Sequence, residues 1–240
     1  MRIQPTAGGC SIVLVGPFTP TLFSPFWLAA HNLCSKQEAE AAAVTVITAE
    51  YASLRVGAMT IQAHSDRISV ETTEAPWIVL ADFFTKLLHD VLPETPVTQI
   101  GINRMVHFGV GSEERRTRIG RRLAPLEPWG AWKSDLERDA SPLRSGMRSL
   151  IMQETKIPSG LVVGYVQARV EPSVTVPGNS AVFVAVNDHY QLESPASATD
   201  SSTMLDVLQT GFESSIQRSE WIVDQIMALS EAANQEGKPS

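Results

Sequence analysis

The stretch QIGINRMVHFGV, Gln99 to Val110, decides how this chain is read. It is β-rich and apolar, but it carries Asn103, Arg104 and His107 inside the run. In an extended strand alternate side chains leave on opposite faces. Asn103, Met105 and His107 are therefore expected on one face, and Ile102, Arg104, Val106 and Phe108 on the other. An amide and an imidazole two residues apart on one face can serve a common ligand; they can equally satisfy backbone groups near a strand end.

Working outward, similar runs flank this strand on both sides. Cys10 to Val15 ends at Gly16-Pro17 and reads as a buried strand stopped by a turn. Ser24-Pro25 supplies an N-cap and a first-turn proline for a helix carrying Phe26, Trp27, Ala30 and Leu33. Lys36 to Ala43 either extends that helix or forms a second turn. Strand character returns from Val44 to Val56, and the runs Met59 to Ala63 and Arg67 to Thr72 form a hairpin about His64-Ser65-Asp66. Pro76 opens a helix bearing Trp77, Leu80, Phe84, Leu87 and Val91.

Beyond Val110 a helix is expected from Ser112 to Leu123, then strands at Arg148 to Lys156, Leu161 to Val170 and Ala181 to Asn187. A long final helix follows, with Leu205, Leu208, Phe212, Ile222, Ile226 and Leu229 at a period near 3.5, interrupted by Ser215 and Ser219. The expected class is α+β: an antiparallel sheet with helices packed on one face. The chain is expected to be a single domain, 1–240. Its element order suggests two similar β-α-β-β-α halves, 10–95 and 97–231, and the polar segment 232–240 reads as a flexible tail.

The 240 residues are 43% hydrophobic and 19% charged, close to ordinary globular usage. A net charge of −7 argues against a surface basic throughout, so nucleic acid would be a local matter. Cys10 and Cys34 form neither a CxxC pair nor a disulfide framework. The first residues lack a secretory apolar region, and no run approaches the length of a membrane span, so a cytoplasmic location is expected.

A second polar cluster, Asn187-Asp188-His189-Tyr190, closes the run Ala181 to Val186. Alternation separates Asp188 from His189, which speaks against an Asp-oriented imidazole. Asn187 and His189 share a face. Were this strand beside the one carrying His107, then Asn103, His107, Asn187, Asp188 and His189 would be the candidate ligand pocket; the other expectation is a turn using Asn and Asp locally. No HxH, HExxH, GxSxG, P-loop or dinucleotide motif occurs, so no metal and no cofactor are expected.

Arg115 to Arg122 holds five of the 19 basic residues. Arg115, Arg118 and Arg122 are the candidate anion contacts. Ser112, Glu113 and Glu114 ahead of them also fit a solvated helix with charge arranged along its dipole. Trp129 and Trp132 in the loop Leu123 to Trp132 read as anchors pinning it to the core, or as a lid.

The segments GINRMVHF (101–108), LAPLEPWG (123–130), VEPS (170–173) and FVAVNDHY (183–190), with SIVLVGPF and SPFWLAAHNL near the start, resemble a family of uncharacterised bacterial proteins of similar size. The resemblance implies a bacterial source and a single domain; it carries over no activity and no catalytic residue. Residues and resemblance together lead to a non-enzymatic binding or accessory protein that is homo-oligomeric, a homodimer included. Its partner is expected to be a protein or a small molecule ahead of nucleic acid. A hydrolase or transferase with a His general base is the alternative, and phosphate or nucleic-acid binding through Arg115 to Arg122 the weaker one.

Overall fold

The computed structural model describes residues 1, 3–138 and 145–235. Nine strands build one sheet: β1 (Ala7–Val15), β2 (Ala43–Ile47), β3 (Tyr51–Val56), β4 (Met59–His64), β5 (Arg67–Thr72), β6 (Gln99–Gly109), β7 (Leu150–Thr155), β8 (Val162–Pro172) and β9 (Ala181–Leu192). Every pairing is antiparallel, in the order β2-β3-β4-β5-β1-β6-β9-β8-β7. The protein is an α+β fold. β1 and β6 lie side by side near the middle, each flanked on its other side by a later strand, β5 or β9.

Helices α1 (Pro25–Ala30), α2 (Lys36–Glu40), α3 (Ile78–Lys86), α4 (Glu113–Leu123), α5 (Lys133–Glu137) and α6 (Ser202–Gln235) complete the chain. Their caps follow from sequence. The Ser24 hydroxyl accepts from the Trp27 amide with Pro25 in the first turn, and Ser35 with Glu38 forms a reciprocal capping box. That second cap makes α2 a separate helix rather than an extension of α1. α3 starts at Ile78, two residues after Pro76, and runs into a π turn at Leu87–Val91.

The period-2 alternation sorts the sheet into two faces. Leu54, Ile61, Val70, Ile12, Ile102, Asp188 and Val166 stand in register across six neighbouring pairs, none more than 6% exposed. This is the covered face, against which α3 (on β1 and β5), α6 (on β6 and β9) and α4 (on β9) pack. One residue along, Gln62, Ser69, Val13, His189 and Tyr165 belong to the opposite, open face and are only half-buried or exposed.

The covered side holds two apolar clusters. One gathers Ile12, Leu28, Phe84, Ile100 and Leu208; the other Val106, Phe108, Ile119, Val184 and Val223. Between them lies a polar layer. Arg104, 3% exposed, donates to the carbonyls of Gly9 at 2.9 Å and Met105 at 3.0 Å, stacks 4.6 Å over Trp77, and has Glu220 at 3.7 Å. Asp188 pairs with Lys156 and accepts from the Tyr190 hydroxyl at 3.3 Å; that hydroxyl also meets Ser215 at 3.3 Å.

That layer explains α6. Its buried stripe is Met204, Leu208, Phe212, Ser215, Ser219, Val223 and Met227. Of the apolar seam expected from sequence, Leu208 and Phe212 lie in this stripe, whereas Leu205, Ile222, Ile226 and Leu229 are only half-buried. A pattern that looks for apolar residues steps around serines, whereas here Ser215 meets the Tyr190 hydroxyl and Ser219 is buried beside it in the stripe. α6 runs on to Gln235, so part of the expected tail is helical, and 236–240 lie outside the described residues.

One run divides in two and one expectation is corrected. The run Val44 to Val56 is two strands, turned where Thr48 Oγ1 accepts from the Tyr51 amide while the Thr48 amide donates to the Tyr51 carbonyl. Trp129 and Trp132 are not buried anchors: they are 52% and 53% exposed, packed edge-to-face on each other at 5.6 Å, and Leu126 is the buried side chain of that loop.

Candidate functional site

β6 and β9 are neighbours, so the two polar clusters meet on one sheet. They do not meet in one pocket. Asn103 stands directly opposite Asn187, whereas His107 stands opposite Phe183 and His189 opposite Gly101. Phe183 and His189 are six residues apart along β9, which at strand rise is about 20 Å. Asp188 points to the covered face, where Lys156 holds it beneath α6. The five-residue pocket expected from sequence is thus divided over three places, because strand register fixes which residues are opposite and the pleat fixes which share a face.

The middle of the open face is a row of amides, Asn103, Asn187, Gln167 and Gln153, in register across β6, β9, β8 and β7. Gln167 donates to Gln153 at 3.3 Å, and the Asn103 amide reaches the Gly101 carbonyl at 3.5 Å. The buried Asn187 Oδ1 has no hydrogen-bond donor among the described residues. Gly101 leaves room for it: a Cβ there would stand 3.1 Å from that oxygen. The expectation of a turn at Asn187-Asp188 is overturned, since β9 continues through both to Leu192. On one side of the row, two residues along β9 and β8, the His189 ring stacks on Tyr165 at 4.6 Å. Burial lowers the His189 pKa, aided by the charge of Lys156 and opposed by its hydrogen bond to Gln191 and by Asp188.

On the other side of the row, toward His107 and Phe183, the open face deepens into a cleft of about 430 Å³ lined by Ala7, Gly9, Met105, His107, Phe183 and Val174, among others. The His107 ring packs on Phe183 at 4.7 Å, and Arg169 covers Phe183 from β8 at 5.6 Å. Glu171 forms part of the rim, with Arg169 at 3.7 Å and the Ser149 hydroxyl donating to it at 2.9 Å.

Ser173, just past β8 and 6% exposed, sets the state of the imidazole. Its Oγ accepts from the amides of Thr175 at 3.2 Å and Val176 at 3.3 Å, and lies 2.8 Å from His107 Nδ1. A hydroxyl has two lone pairs and one proton. With both lone pairs taken by amides, Ser173 donates to Nδ1, so neutral His107 carries its proton on Nε2. Burial lowers the His107 pKa, which favours that neutral form. The imidazole therefore keeps one N–H donor for a ligand.

Arg115, Arg118 and Arg122 are exposed on α4, which Ser112 caps and whose Glu113 pairs with Arg116 at 3.1 Å. They stand apart from the cleft. Among the described residues no group of three His, Cys, Asp or Glu side chains is placed to hold a metal ion, and no helix is long and apolar enough to cross a membrane.

Sequence reading did not single out Ser173, Phe183 or Arg169 as lining a site. The Ser173-x-Thr175 spacing after Pro172 is the local signal of a hydroxyl-capped turn. Nothing local, however, announces its contact with His107, 66 positions away.

Fold and cleft define an α+β protein whose helices cover one face of a nine-stranded antiparallel sheet and leave on the other a small aromatic-lined recess. No protein-family model matches the chain and no curated protein matches it.

Proposed function

We propose that this chain is a non-enzymatic binding or accessory protein of the bacterial cytoplasm, homo-oligomeric, that holds a small organic molecule in the cleft beside His107 and Phe183. The chemistry of that cleft carries the reading: an apolar and aromatic wall with a single imidazole donor whose other nitrogen is committed to Ser173. Such recesses bind flat or partly apolar molecules and use a few polar groups to orient them. A ligand with a planar ring against Phe183 and an acceptor atom toward His107 fits best.

A thermal-shift screen of aromatic and heteroaromatic metabolites, followed by calorimetry, tests it. A ligand that favours the folded state raises Tm. The expected hit is lost in Phe183→Ala and weakened in His107→Ala, and survives in Asn187→Ala. A hit indifferent to Phe183 and His107 would sink the cleft as the site.

The Ser173–His107 contact favours a second reading, acyl transfer with His107 as general base on the Ser173 hydroxyl. Against it, two backbone amides occupy the Ser173 oxygen. Mass spectrometry after treatment with an activated ester or a fluorophosphonate separates the readings: a covalent adduct on Ser173 supports the hydrolase and an unmodified chain the binding protein. Single-domain organisation with internal duplication is part of the same proposal, and the central placement of β1 beside β6, each flanked by the last strand of its half, supports it.

A further inference from the structure

The two edges of the sheet are built differently. β2 is five residues long, and a register shift between Val44 and Val46 breaks its pairing with β3. Short, bulged edges resist the approach of another strand. β7 pairs with β8 without interruption from Leu150 to Thr155 and contains neither proline nor a basic residue. Past Leu150 the whole strand is exposed, with Ile151 at 53% and Met152 at 65%.

Among the described residues the backbone of that edge is open as well. The Lys156 amide donates to the Gly164 carbonyl on β8 at 2.9 Å. In an antiparallel ladder the even-numbered residues of β7 then bond to β8, while Ser149, Ile151 and Gln153 turn their N–H and C=O outward. Apolar groups flank these free backbone groups on both sides of the sheet. Ile151 lies on the open face; Met152 shares the covered face with Glu154, whose partner Arg218 on α6 stacks 4.9 Å over the half-exposed Trp221.

We propose that β7 pairs antiparallel with β7 of a second copy of this chain, joining two nine-stranded sheets about a two-fold axis at Ile151. Charge selects this register. With Ile151 opposite Ile151, Leu150 faces Met152, Ser149 faces Gln153, and Arg148 faces Glu154 twice, once on each side of the axis. Ile151, Ser149 and Gln153 are the residues with outward backbone groups, so the same register hydrogen-bonds the two strands. Arg148 is exposed and makes no ion pair among the described residues, and Glu154 is exposed beside Arg218. With Met152 opposite Met152 instead, Arg148 would oppose Lys156; with Leu150 opposite Leu150, Glu154 would oppose Gly146 and gain no cation from the second copy. Opposite charges directly across a strand pair stabilise it and like charges oppose it. The proposal rests on the homo-oligomeric part of the reading above and is independent of what the cleft binds.

Light scattering after size exclusion, over a wide concentration range, tests it on the full chain. The wild type is expected to have the mass of two copies. Arg148→Glu alone and Glu154→Arg alone each set like charges opposite one another twice and are expected to run as single copies. An equimolar mixture of the two variants restores both ion pairs between unlike chains and is expected to recover the dimer mass. Ile151→Pro removes only an outward N–H and is expected to abolish the dimer with far-ultraviolet circular dichroism unchanged. A dimer that persists in all three variants overturns the β7 pairing while leaving a homo-oligomer in place. Variants that become monomeric without recovery on mixing overturn the register. A wild type that is monomeric throughout overturns this interface and the homo-oligomer together.

Discussion

Asp188 and His189 are adjacent in β9 and live in different solvents. Asp188 is 3% exposed beneath α6, with Lys156 and the Tyr190 hydroxyl on its carboxylate. His189, one pleat away, stacks on Tyr165 on the open face, where both are only half-buried. The contrast runs along the central strands: Ile102, Arg104 and Val106 of β6 are buried, whereas Asn103, Met105 and His107 are half-buried at most. The covered face carries stability, through packing and a few buried charges that must keep their partners. The open face holds the proposed ligand cleft, and its half-buried side chains can change without unpacking the core.

The sharpest break of this contrast would be a large cavity on the covered face. Phe84 is fully buried, and Phe84→Ala is expected to cost about 4 kcal/mol in urea denaturation. Next comes Asp188→Ala, which strands the Lys156 ammonium against the Tyr190 ring. Removing one partner of a buried pair costs about 3 kcal/mol, and Asp188→Asn should recover part of that loss. On the open face, Phe183→Ala lies beside the cleft and is expected to cost about 1 kcal/mol or less, since the ring already meets solvent, while abolishing ligand binding. An open-face change as costly as Phe84→Ala would end the division of labour.

Asn187→Ala should have the smallest effect of the substitutions, below about 0.5 kcal/mol, because its buried oxygen accepts no hydrogen bond among the described residues. The pH dependence sharpens the same point. Burial lowers the folded-state pKa of both His107 and His189, so the unfolded chain binds protons more readily than the folded one. Their contribution to stability is complete above the unfolded value of about 6.5 and is lost as pH falls through the lower folded values. Denaturation midpoints measured from about pH 8 to about pH 5 should decline on the acid side, and the decline should lessen in the double variant His107→Gln, His189→Gln.

Much of the covered face was legible in the chain. Alternation in Gln99 to Val110 separates Asn103 and His107 from Ile102 and Phe108 correctly, and Ser24-Pro25 marks a helix start where one occurs. The errors fell where a distant group decides the outcome. Trp129 and Trp132 stay half-exposed because the loop buries Leu126 instead. The α6 stripe runs through Ser215 because Tyr190, brought there by β9 beside Asp188, gives its hydroxyl a buried polar neighbour. The two strands of the candidate pocket do adjoin, but its histidines do not converge: His107 meets Phe183 and Ser173, not His189.

By itself the sequence determined what is local: the pleat that sends neighbouring side chains to opposite faces, the caps that start α1 and α2, and the apolar runs that must be buried. These follow from covalent geometry and from hydrogen bonds between residues a few positions apart. Only the tertiary structure decided which strands adjoin, hence that β6 lies between β1 and β9 and that β7 ends the sheet. It also decided that Ser173 closes on His107 and that a polar layer divides the core. Those outcomes depend on loop closure and on packing among segments far apart in the chain, and no local period encodes them.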